Sequence, residues 1–160
     1  CIRSILAPIE FENKKTERQE IVIQQLIDIR TAQLEYKAHK GIFAADWDEL
    51  ISFLRDTTQV KALSAIFPDK RYTCNNIDKI CVVPFSNGKK FVLKTNNEYT
   101  TSAGIQIPLF EVSAEYTTFL TDINGRELRS LIDITQKLDK FEGLKIGSIE
   151  QPNNNAGNWE

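Results

Sequence analysis

The residue type with most chemistry to offer in this chain is cysteine. Of three cysteines, Cys74 and Cys81 stand seven positions apart, with turn-forming Asn75, Asn76 and Asp78 between two arms rich in β-forming residues. If the arms pair as a hairpin, the two sulfurs face each other at bridging distance. Such a disulfide implies an oxidising compartment such as the periplasm. The competing reading is two unlinked thiols in a reducing compartment. A zinc site does not follow, because two thiols and the remote His39 fall short of four ligands. No Cys-x-x-Cys redox pair is present.

The other reactive groups point away from catalysis. His39 is the single histidine, and beside Lys37 and Lys40 it sits where a cation complements a helix C-terminus. Asp46, Asp48 and Glu49 form a run that elsewhere serves acid–base or calcium chemistry. Here Asp46 and Glu49 have the N-cap and N3 spacing of a capping box, and the calcium-loop pattern is absent. Ser52, Ser64 and Ser86 lack a nucleophile-elbow setting, and there is no phosphate loop or dinucleotide fingerprint. We therefore expect no catalytic, cofactor or metal site. The net charge of −2 gives no electrostatic footprint for nucleic acid.

The elements that would carry these residues read as an α+β domain. A first helix is predicted from Lys14 to His39 or Lys40, with Val22, Ile23, Leu26, Ile27, Ile29 and Leu34 as a wide apolar arc. Gln24, Asp28, Thr31 and Glu35 make the opposite polar face. Arg30, Gln33 and Lys37 form a polar streak inside the arc, read first as side-chain stems lying over the core and second as partner contacts. Gly41 ends the helix in a left-handed conformation. A short second helix follows from Trp47 to Arg55, burying Leu50, Ile51, Phe53 and Leu54 with Phe43 and Trp47 at its start.

Strands are then predicted at Val60–Phe67 (with helix as the rival), Arg71–Cys74, Ile80–Pro84, Lys89–Thr95, from Gly104 to Pro108, at Phe110–Tyr116, and at Lys145–Ile149. Asn87-Gly88 marks a hairpin turn, and the spacing suggests an antiparallel meander. A C-terminal helix is predicted from Arg126 to Phe141, with Leu128, Leu131, Ile132 and Leu138 inward and Gly143 stopping it. The expected organisation is a membrane-proximal connector over 1–13, one domain over 14–150, and an Asn-rich tail over 151–160. In the tail, Asn153, Asn154, Asn155 and Trp159 have two readings: a free terminus, or a segment docked on the domain or a partner.

No run within the 160 residues reaches the ~18 apolar residues a bilayer crossing needs. The chain opens at Cys1 and has no methionine, so we expect a signal or membrane segment upstream. Cys1 reads as the edge of a transmembrane helix with Arg3 as a boundary charge. The alternatives are the lipid-bearing residue of a lipoprotein and a cloning remnant.

The stretch Ile27-Asp28-Ile29-Arg30-Thr31-Ala32-Gln33-Leu34-Glu35-Tyr36-Lys37, followed by Gly41-Ile42-Phe43 and Trp47-Asp48-Glu49-Leu50, resembles the helix-to-domain join of type IV pilins and type II secretion pseudopilins. The whole chain, with its Asn-Asn-Asn-Ala-Gly-Asn-Trp-Glu end, is also similar to uncharacterised single-pass envelope proteins of Gram-negative bacteria. These resemblances imply a long N-terminal helix packed on a small antiparallel sheet, a single-pass anchor upstream of Cys1, and a place on the periplasmic side of the inner membrane among other envelope proteins. The expected role is structural or protein-interacting. The alternative is a ligand-binding module or lipoprotein with an apolar pocket, Trp47 or Tyr116 at its mouth.

Overall fold

The computed structural model describes residues 2–56, 66–67, 72, 76–120, 122–123 and 125–159, and for residues 2–8 the backbone alone. The fold is α+β: a long N-terminal helix on a three-stranded antiparallel sheet, with further short helices. Helix α1 (Ile2–Lys40) has 39 residues, roughly 58 Å at the standard rise. The connector expected over 1–13 is therefore helical from Ile2 onward. Pro8 falls in the second turn, where its missing N–H forfeits a single backbone bond.

The buried positions Val22, Leu26, Ile29 and Ala32 recur at three- and four-residue spacing and face the core. Leu34, counted in the apolar arc, is 44% exposed, whereas Asp28, assigned to the polar face, is buried. Gly41 ends α1 as expected, with φ at +81° and its N–H donating to the Lys37 carbonyl at 2.8 Å. Helix α2 (Trp47–Arg55) begins where the capping signal put it. The Asp46 carboxylate accepts the Glu49 N–H at 2.8 Å, and the Glu49 side chain reaches back to the Ala45 N–H at 3.1 Å.

The sheet runs β1 (Val92–Thr100), β2 (Gln106–Glu115) and β3 (Gly143–Gly147), in that spatial order. The expected pairing of 104–108 with 110–116 is corrected: these segments form one strand, β2, which pairs with β1 and β3. Pro108 survives inside it because the β1 register slips between Asn96 and Tyr99, opposite that proline. A residue without an N–H fits where the ladder is already broken. Phe110, Val112, Ala114, Leu144 and Ile146 bury the face that meets α1 and α2. Phe43 joins them, its ring 4.6 Å from that of Phe110.

Two more expectations change, and two lie outside the described residues. Ile80–Pro84 is not a strand: Ile77–Cys81 is a 3-10 helix, and only Val82 bridges to Lys90. The amide of Gln25 on α1 causes this, lying 2.9, 3.0 and 2.6 Å from the carbonyls of Lys79, Ile80 and Val82. Val60–Phe67 and Arg71–Cys74 lie outside the described residues except for Ile66, Phe67 and Tyr72. The C-terminal helix is Gly125–Lys137 and ends early, leaving Leu138 59% exposed. Beyond the second strand, a four-residue helix, Tyr116–Phe119, is new. These two helices are called α3 (Tyr116–Phe119) and α4 (Gly125–Lys137). The Asn87-Gly88 turn stands as read, with both residues at positive φ.

Gly143 does not stop a helix but opens β3, which starts and ends two residues earlier than the strand expected at Lys145–Ile149. Both ends of β3 are glycine for a steric reason. A Cβ at Gly143 would lie 2.2 Å from the Ala114 carbonyl oxygen, and one at Gly147 would lie 2.2 Å from that of Phe110. Gly147 also has φ at +76°. We expect Gly147→Ala to cost about 3 kcal/mol, combining left-handed strain with overpacking. Urea denaturation measures it; a midpoint equal to that of the parent would show that β3 relaxes away from β2.

Candidate functional site

The polar residues singled out in the sequence fall into one assembly on the C-terminal half of α1. Gln33 is fully buried, so it is unavailable as a surface contact. Its amide pairs with the main chain of Ala44, donating to the carbonyl at 3.1 Å and accepting the N–H at 2.9 Å. That pair fixes the return of the chain after α1. Lys37 places its ammonium 5.5 Å from the Phe43 ring centroid. The Arg30 guanidinium donates to the Asn155 carbonyl at 3.1 Å.

The streak on α1 and the Asn-rich tail therefore meet each other. Asn154 and Asn155 both take positive φ, a conformation asparagine tolerates better than most residues. They line a small cleft with Lys37, Phe43 and Pro152. Beyond them the tail adds to the free edge of β3. Gly157 bridges to Ile146, the Gly147 N–H donates to Ala156 and the Asn158 N–H donates to Lys145, both at 3.0 Å. The Asn158 side chain accepts the Lys145 N–H at 3.1 Å and donates to the Gly143 carbonyl at 2.9 Å. Trp159 packs its ring where a Gly157 Cβ would sit. Of the two readings of the tail, the docked one holds.

The groups with catalytic potential have local structural roles. His39 contacts Glu35 at 3.2 Å and lies against Phe53. Trp47 is a core residue whose indole donates to the Phe91 carbonyl at 3.0 Å. The Cys81 thiol is free and buried, 3.1 Å from the Asp78 carbonyl that it donates to. Burial pushes it up from the ordinary thiol value, against a smaller opposing pull from Lys90, so it is a weak nucleophile. Its proposed partner Cys74 lies outside the described residues. The hairpin register that motivated their bridge is absent on the Cys81 side. Among the described residues no group of three or more His, Cys, Asp and Glu side chains is placed to hold a metal ion.

Two residues that sequence reasoning missed tie α1 to the domain. Asp28 accepts the Tyr72 hydroxyl at 2.9 Å and the Gln24 amide at 3.3 Å. Arg18 donates to the Phe119 carbonyl at 2.9 Å, forks onto both carboxylate oxygens of Asp122, and lies 4.6 Å from the Phe85 ring centroid. No sequence signal joins positions 104 apart, so this clasp was illegible before the fold.

No protein family, curated protein or solved structure matches the chain.

The Arg18 hydrogen bonds hold the Asp122 carboxyl below the usual carboxylate value. A carboxylate with a depressed folded pKa contributes stability that is complete above its unfolded pKa, ~4, and is lost as pH falls through the lower folded value. We expect acid unfolding of the parent to steepen below that point more than for Asp122→Asn. Superimposable acid curves would remove the clasp from the stability of the domain.

Proposed function

We propose that this chain is the extracytoplasmic domain of a membrane-anchored envelope protein, non-enzymatic, with a structural or protein-interaction role in a pseudopilin-like secretion or assembly machine. The observation that carries this reading is α1. It is a continuous helix that begins by Ile2, leaves Ile9 and Glu10 exposed, buries Phe11 and concentrates its core contacts in Val22–Gln33. A helix built this way serves as a stalk that holds a small domain away from whatever lies before it.

Three further features support the reading. The helix joins the sheet through Gly41, Phe43 and the capped α2, as in the pilin-like pattern the residues resemble. Asp46 and Glu49 are engaged in the α2 cap, Gln33 in the turn after α1 and Arg30 in docking the tail. The contact zone between α1 and the sheet is filled by Leu26, Ile29, Phe43, Phe110 and Ile146, which leaves that zone no room for the apolar ligand of the alternative reading. No helix among the described residues is long and apolar enough to cross a membrane, so the anchor of this proposal lies upstream of Cys1.

The test is fractionation of the full-length natural protein from its own cells, followed by intact-mass measurement with and without reductant. We expect it to stay with membranes through alkaline extraction, with an unlipidated mass extending upstream of Cys1. Recovery in the cytosolic supernatant would end the proposal. A mass starting at Cys1 with acyl chains would replace the single-pass anchor with a lipoprotein.

A further inference from the structure

A hollow of ≈ 440 Å³ opens between α4, β3 and the docked tail, lined by Tyr116, Thr135, Leu138, Lys140, Phe141, Lys145 and Asn158. We propose that this hollow binds a small organic carboxylate, its anionic group held by Lys140 and Lys145 and its apolar body enclosed by Tyr116, Leu138 and Phe141. The proposal does not depend on an assembly role.

The hollow lies within the size range of small-molecule sites. Its lining combines two ammonium groups with two aromatic rings and a leucine, and among the described residues none of the lining side chains is acidic. The Tyr116 phenol is held neutral: burial pushes it up from the ordinary tyrosine value, with the Gln19 hydrogen bond opposing. It therefore presents no negative charge to an incoming anion.

The other polar walls are already committed, which leaves the lysines as the groups that recognise a ligand. The Thr135 hydroxyl donates to the Leu131 carbonyl at 2.7 Å. The Asn158 amide is held on both sides by the β3 backbone. These bonds also make the floor rigid, which reduces the ordering cost of binding.

Lys145 is engaged only by long contacts. Its ammonium lies 5.5 Å from the Phe141 ring centroid and 3.8 Å from the Glu111 carboxylate, too far for a hydrogen bond. A ligand carboxylate at hydrogen-bond distance would outcompete that contact. Inorganic phosphate offers the charge without the apolar body, so it would leave Phe141 and Leu138 unused. The exposed Leu138, 59% accessible, is then explained as a wall of the site rather than a defect of the core.

The experiment is an NMR titration of the full chain with phenylacetate and hexanoate, using phenylacetamide as the neutral isostere and phosphate as the bare anion. We expect saturable shifts at Tyr116, Leu138, Phe141 and Lys145 with at least one carboxylate, and phenylacetamide and phosphate about tenfold weaker. Lys140→Met and Lys145→Met should each weaken binding by about fivefold or more at unchanged melting temperature. Glu111→Gln, which frees Lys145, should tighten it. Absence of saturation with both carboxylates overturns the proposal. So does equal binding of phenylacetamide, which makes the hollow merely apolar, or equal binding of phosphate, which makes it an unselective cationic patch. Failure of Glu111→Gln to tighten binding removes Lys145 from the recognition.

Discussion

The burial of one stripe of α1 sets the terms for the rest of the fold. Val22, Leu26, Ile29 and Ala32 present a continuous apolar ridge that cannot stay in water without cost, and full burial of each larger side chain contributes roughly 1.5–3 kcal/mol. A three-stranded sheet covers part of that ridge, and α2 covers more. The turn between α1 and α2 must then be tight, and it buries Phe43 and Ala44 between exposed neighbours. Buried turns carry main-chain groups that need partners, and Gln33 supplies them to Ala44 from within the ridge itself. Replacing that amide with an apolar isostere would leave two buried backbone groups unpaired, the costly case for hydrogen bonds.

The two edges of the sheet are managed differently. The edge at β3 is closed by the tail through Gly157 and Asn158. The edge at β1 is interrupted at Asn96–Tyr99, where the register slips and the Asn96 side chain accepts the Glu98 N–H at 3.1 Å. A bulge and an exposed Lys94 are features that discourage another strand from adding there. Pro108 on β2 and the bulge on β1 are thus one device seen from two strands.

What the sequence disclosed, and what it hid, divides by range. α2, its Asp46 cap, the Gly41 terminus and the Asn87-Gly88 turn follow from side chains acting on backbone within a few residues, and they were legible at their positions. The core half of α1 was legible from periodicity. Ile80–Pro84 was misread as a strand because its β-branched residues suit one, while the carbonyls around the Ile77–Cys81 turn of helix face Gln25, more than fifty positions away. Asp28 looked like a solvent-facing carboxylate because its partner Tyr72 is also remote. The hollow beside β3 could not be foreseen, since it exists only where α4, β3 and the tail come together. Tyr116 and Lys145 read as strand ends, and Tyr116 also as one mouth of an apolar pocket, but nothing in the sequence puts them beside Lys140.

The bond from Arg30 to Asn155 spans 125 positions, almost the whole chain. The stripe of α1 is made well before the tail segment, so the β3 edge stays open until Ala156–Asn158 have been made. Late, non-local closure of this kind slows folding, because loop entropy must be overcome before the contact rewards it. The domain therefore passes through a stage, before Gly157 and Asn158 have paired with it, in which an unpaired β3 edge is available to other chains. A peptide copying Ala156–Trp159 would compete at that stage and not afterwards.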